Sequence, residues 1–116
     1  MRDEDRTRLR HMIDAAQAVS RFVARRTRAD LDQDQMLLFA VVHAVQVLGE
    51  AASKVTPDTR IAHADIPWAA IVGMRNRLVH AYFDVDTELV WVAATQEIPA
   101  LLQRLKAVVA NADAGD

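Results

Sequence analysis

Cysteine is absent from this 116-residue chain, so disulfide bonds, thiolate metal sites and a cysteine nucleophile are all excluded. Glycine and proline are scarce, with three of each. Few positions are therefore available to break the backbone and little length is left for linkers, so one domain over residues 1–110 is expected, with a short polar tail at 111–116. Aromatic residues make up only 5% of the chain, whereas apolar residues make up 52%. Alanine, valine and leucine dominate that apolar half, which suits helices packed through many small contacts rather than a sheet. There is no glycine-rich phosphate loop, internal repeat or low-complexity run. The start, Met1-Arg2-Asp3-Glu4-Asp5-Arg6, lacks the apolar core and cleavage site of a secretory signal, so a cytoplasmic protein is expected.

The net charge of −2 argues against a protein coated overall in nucleic acid, but the charge is unevenly spread. Residues 1–28 hold Arg2, Arg6, Arg8, Arg10, Arg21, Arg25, Arg26 and Arg28 against Asp3, Glu4, Asp5 and Asp14, so this segment is basic and the remainder acidic. Its first reading is a solvated helix face. The second is a track for a phosphate backbone.

Hydrophobic periodicity divides the chain into four long helices. Leu9, Met12, Ile13, Ala16, Val19 and Val23 recur at three- and four-residue steps and predict a helix over residues 3–26, with an acidic start and basic end that suit the helix dipole. Residues 27–33 read as a turn, with Asp30 or Asp32 as the next N-cap. Residues 36–52 are apolar on nearly every face. A membrane span is considered there and set aside, because the run is short and His43, Gln46 and Glu50 form a stripe that is costly in lipid. A buried central helix fits better, with the stripe making satisfied buried hydrogen bonds, facing a partner or supporting a catalytic groove. Pro57 breaks the pattern over residues 54–65, and Pro67 opens a third helix over 67–82. Asp86 or Thr87 then caps a fourth over 87–109. Pro99 lies inside this last helix, where a missing backbone donor predicts a kink near residues 95–97. An antiparallel four-helix bundle is the expected architecture.

The run Arg75-Asn76-Arg77-Leu78-Val79-His80-Ala81-Tyr82 carries the chemistry. These residue types suit phosphate transfer, and the spacing raises the question of how they meet. On a helix Arg75 and His80 sit roughly 140° apart, while Tyr82 returns close to the direction of Arg75. One helix cannot close these groups around a single phosphate, but two copies facing across a symmetric dimer could. Arg77 points roughly 160° from Arg75 and is read as solvated or RNA-tracking. His11, His43 and His63 form no helical ligand pair, so no metal is expected.

This run has the signature of an arginine, four residues, a histidine, one residue and a tyrosine. In it the chain resembles the HepT-like toxins of the HEPN superfamily. Gly49-Glu50-Ala51-Ala52, Ile66-Pro67-Trp68 and Glu97-Ile98-Pro99 extend the resemblance, which covers about residues 4–108. It implies a HEPN-type helical bundle forming a homodimer, and a metal-independent endoribonuclease with its groove at the interface. Arg75 and His80 would be catalytic, with Asn76 orienting the histidine or the phosphate and Glu50 and His43 in support. No cofactor is implied. Tyr82 would be the site at which a partner nucleotidyltransferase antitoxin attaches adenosine monophosphate; otherwise it is a packing residue at a helix end. The competing expectation is a non-catalytic dimer of the same type that binds a nucleotide or the partner protein, with Arg75 holding phosphate and His80 structural. A purely structural dimerisation domain leaves the motif unexplained.

Overall fold

Leu9, Met12, Ala16 and Val19 are fully buried along one face of the first helix, α1 (Asp3–Val23), as their spacing requires. In the computed structural model, which describes the backbone of residues 1–84 and 86–115 and the side chains of 1–78 and 86–114, every regular element is helical. α2 (Arg28–Gln33) and α3 (Gln35–Ser53) follow, then α4 (Pro57–Ala62), α5 (Trp68–Asp84), α6 (Thr87–Val92) and α7 (Ile98–Gly115). The long helices make the bundle: α3 packs between α1 and α5, and α7 lies along α1.

α1 ends earlier than its sequence suggests. Ala24 closes it and Arg25 adopts φ 61°, the left-handed turn that commonly terminates helices. The segment read as a turn at residues 27–33 is the short helix α2. Thr27, rather than Asp30 or Asp32, begins it, donating its N–H to the Asp30 carboxylate at 2.7 Å. Asp34 caps α3 by accepting from the Leu37 N–H at 3.2 Å, and Arg26 holds that carboxylate at 2.5 Å. The Arg26 contact, then the Leu37 N–H, lower the Asp34 pKa below the ordinary aspartate range.

α3 is long and apolar enough to cross a bilayer, yet it is the core helix of this bundle, with Val41, Leu48 and Ala52 sealed against its neighbours. The break expected over residues 54–65 contains α4, with Pro57 in its first turn. Its N-terminus is fixed from a distance: Asp5, 1% exposed, accepts from Thr56 N–H at 3.0 Å, from the Thr56 hydroxyl at 2.5 Å and from the Thr59 hydroxyl at 2.6 Å. Trp68 opens α5 and donates its indole N–H to the His63 carbonyl at 3.1 Å.

Asp86 caps α6 as expected, accepting from the Leu89 N–H at 3.2 Å. The interruption expected near Pro99 is a π-helical turn over Ala93–Glu97, closed by the Ile98 N–H on the Ala93 carbonyl. Pro99 has no N–H to continue the α pattern through this point. Beyond it α7 does not stop near residue 109. It runs to Gly115, because Arg6 and Arg10 reach from α1 to the Asp113 carboxylate at 3.3 and 3.2 Å.

Candidate functional site

Arg75 and Gly49 meet where α5 crosses α3. A β-carbon built at Gly49 falls 2.6, 2.7 and 2.9 Å from Cβ, Cγ and Cδ of Arg75, so the arginine stem occupies the space that a side chain at position 49 would need. The close approach of the two helices is thus specific to glycine here. It leaves Arg75 half-buried, and its Nε is buried with no hydrogen-bond partner. A terminal nitrogen donates to the Asn76 side-chain oxygen at 3.3 Å. A buried guanidinium nitrogen with no acceptor is costly unless something supplies one.

Asn76 and Arg77 are exposed on the same helix. Arg77 faces away from Arg75 and lies 3.8 Å from Glu97, the last residue of the π turn, so it is engaged with α7 rather than with the motif arginine. His80 and Tyr82 continue the helical run of α5, but their side chains lie outside the described residues. The structure therefore brings together Arg75, Asn76 and Gly49. The last of these was visible in the sequence as an isolated glycine within an apolar helix, but its partner was not.

The stripe on α3 differs from the buried reading. His43 and Glu50 are exposed and Gln46 is half-buried. The covered arc of α3 faces α1, the core and α5, and the stripe lies on the side that none of them reaches. His43 is not a core histidine. It lines a shallow groove between α1 and α3, as does His11.

The basic N-terminal segment is largely neutralised within the molecule. Arg26 pairs with Asp30 and Asp34, Arg28 with Asp32 and Glu88, and Arg6 and Arg10 with Asp113. Arg28 also donates to the buried Thr87 hydroxyl at 3.0 Å, which in turn bonds Asp32, so these charges fasten α2 to α6. This supports the solvated-face reading over a continuous phosphate track.

An all-helical bundle that seats an arginine against a glycine of the neighbouring helix, with asparagine, histidine and tyrosine following along α5, has the layout of the nuclease family whose signature the sequence carries. The Ribonuclease HepT-like family matches residues 12–108. Among the relatives is the "Probable ribonuclease HepT" of Thermococcus cleftensis, 32% identical over 93 residues that cover 80% of this chain and 84% of that protein. A "Putative RNase" of Caldanaerobacter subterraneus subsp. tengcongensis is 34% identical over 80 residues, 69% of this chain and 71% of that protein. Another "Putative RNase", from Methanocaldococcus jannaschii, is 34% identical over 83 residues, 72% of this chain and 69% of that one. No solved structure matches the chain. The chain belongs to the HepT-like ribonuclease family.

Proposed function

We propose that this protein is a metal-independent endoribonuclease acting as a homodimer in the cytoplasm, and that it is the toxin of a toxin–antitoxin pair. The observation that carries the catalytic part is the seat of Arg75. Its stem is held over Gly49 and its Nε is buried without an acceptor, so the guanidinium is pre-placed for an anion it does not yet have. A scissile phosphate supplies that acceptor, through two parallel hydrogen bonds that strengthen as charge grows on the phosphoryl oxygens. Asn76, already in contact with Arg75, orients the guanidinium or the phosphate.

His80 moves the proton. It accepts the hydrogen of an RNA 2′-hydroxyl while the 2′-oxygen attacks phosphorus, and the bond to the 5′-oxygen breaks as that oxygen takes a proton from a second imidazole. The second copy of His80 in a dimer fills this role. The products are a 2′,3′-cyclic phosphate and a free 5′-hydroxyl.

Tyr82 supplies the control. Its position along α5 falls within roughly 20° of Arg75, so a nucleotide on its hydroxyl would compete for the same groove. A partner nucleotidyltransferase would let the Tyr82 oxygen attack the α-phosphate of adenosine triphosphate, expelling pyrophosphate and leaving adenosine monophosphate attached. The added charge and bulk then block RNA.

The deciding experiment is cleavage of labelled total RNA in EDTA by wild type and by His80→Ala, with the product ends mapped. Cleavage by wild type alone, with cyclic phosphate ends, supports the reading. A dimeric, unmodified wild type that cleaves no RNA overturns it in favour of a nucleotide- or partner-binding dimer, for which the Arg75 seat would serve equally well.

A further inference from the structure

We infer that the outer face of α1 and α3 is where a second copy of this chain docks, with the two α3 helices antiparallel. That this contact also forms the nuclease groove rests on the ribonuclease reading above; the contact itself does not.

The face carries a protrusion and a recess. Met36, at the start of α3, is 82% exposed, the most exposed large apolar residue in the described structure. His43, Val47 and Glu50 follow it along the helix at steps of seven, four and three, so one uncovered stripe runs the length of an otherwise apolar helix. Beside the stripe lies a groove of about 400 Å³ between α1 and α3. Its floor is made by Ala15, Ala18, Ala40 and Ala44, and Phe22 and Val47 stand at its rim, each 37% exposed. The alanines give depth and Met36 gives a flexible apolar side chain to fill it. Both features lie on one surface, displaced along α3. A two-fold axis across α3 between them sets each Met36 toward the groove of the other copy, which is how a self-complementary interface is built.

The charges fix the occupant and its direction. Arg21 and Arg25 stand exposed at the C-terminal end of α1, beside the start of α3, and neither has an ion-pair partner among the described residues. Glu50 stands exposed near the opposite end of α3, equally without one. An antiparallel second copy brings Glu50 of each chain toward the arginine end of the other, twice over. A parallel copy would set like charges together. A partner of one charge sign would answer only one end. Arg75 lies against Gly49, next in sequence to Glu50, so the edge of the docked copy falls beside the motif arginine.

The test uses the full chain in analytical ultracentrifugation across a range of concentrations, with helix content and thermal unfolding as controls. Wild type is expected to dimerise. Met36→Glu with Val47→Glu, both at exposed positions, is expected to be monomeric with unchanged helix content. Glu50→Arg should weaken the dimer at least tenfold, and adding Arg21→Glu and Arg25→Glu should restore it. A monomeric wild type, a dimer indifferent to the Met36 and Val47 changes, or a charge reversal without recovery would each overturn the interface. RNA cleavage is read on the same samples. Activity lost with the dimer and regained with the triple reversal supports the link to the groove, and a monomeric variant that cleaves like wild type overturns that link alone. A dimer through this face that never cleaves RNA overturns the nuclease reading and leaves the interface standing.

Discussion

Gly49 on α3 and the side chain of Arg75 on α5 occupy a single space, because the three atoms nearest a β-carbon at position 49 all belong to that arginine. The contact does two things at once. It lets the helices approach closely, and it fixes the arginine stem so that the guanidinium loses little further freedom when it binds an anion. Packing and candidate chemistry are joined in this pair, and substitutions can separate them.

Gly49→Ala is expected to displace Arg75. The clash falls on Cβ and Cγ, near the backbone, so the arginine cannot swing clear without moving the helices. Overpacking of this kind costs about 1–3 kcal/mol. Gly73→Ala is the control: no atom lies within 4 Å of a β-carbon there, and removing a mid-helix glycine should stabilise by about 0.5–1 kcal/mol. Urea denaturation of both variants alongside RNA cleavage checks the pair. Opposite shifts in stability, with cleavage lost only in Gly49→Ala, are the expected result.

Arg75→Lys keeps the charge and removes the planar fork. Lysine cannot reproduce two parallel hydrogen bonds to a phosphate, and it has no counterpart of the buried Nε. Cleavage is expected to fall by about 10²–10³-fold, the usual loss when one preorganised donor to a developing oxyanion is removed. Thermal unfolding should change little, because the aliphatic stem still lies over Gly49. Single-turnover rates at saturating RNA make the comparison.

The long helices were legible because their periodicity is a local property. The interruption before Pro99 was legible too, since a missing N–H acts wherever the residue sits. α2 and α4 were not, as six residues hold too little pattern to be distinguished from a turn. The helical end of the chain was hidden for another reason: Asp113 is held by Arg10, 103 residues away in sequence. His43 and Glu50 read as buried because apolar residues surround them, but burial depends on which faces the neighbouring helices cover. The motif announced Arg75, and its glycine partner emerged only when α3 and α5 were brought together.

Tyr82→Phe separates regulation from catalysis. The variant keeps the ring and loses the oxygen to which a nucleotide would attach. It is expected to cleave RNA like wild type and to resist silencing when incubated with a partner nucleotidyltransferase and adenosine triphosphate. Intact-mass spectrometry should then show one added adenosine monophosphate on wild type and none on the variant. A folded but inactive Tyr82→Phe would instead give the hydroxyl a part in catalysis or RNA binding.

Asp5 makes stability depend on pH in a predictable direction. Burial opposes its charge, but hydrogen bonds from Thr56 and Thr59, aided by Arg2, outweigh that and hold its pKa below the ordinary aspartate value. A carboxylate whose folded pKa is depressed contributes stability above its unfolded pKa of about 3.9 and loses it as pH falls through the folded value. Asp5→Ala removes an acceptor of three hydrogen bonds and leaves the Thr56 N–H without its partner, at a cost of about 2–4 kcal/mol near neutral pH. Urea midpoints measured between about pH 7 and pH 3 should show wild type and variant far apart at the upper end and converging below about pH 4, as protonation removes from wild type what the substitution has already removed from the variant. A constant gap across that range would mean that Asp5 supports α4 by shape alone, with no contribution from its charge.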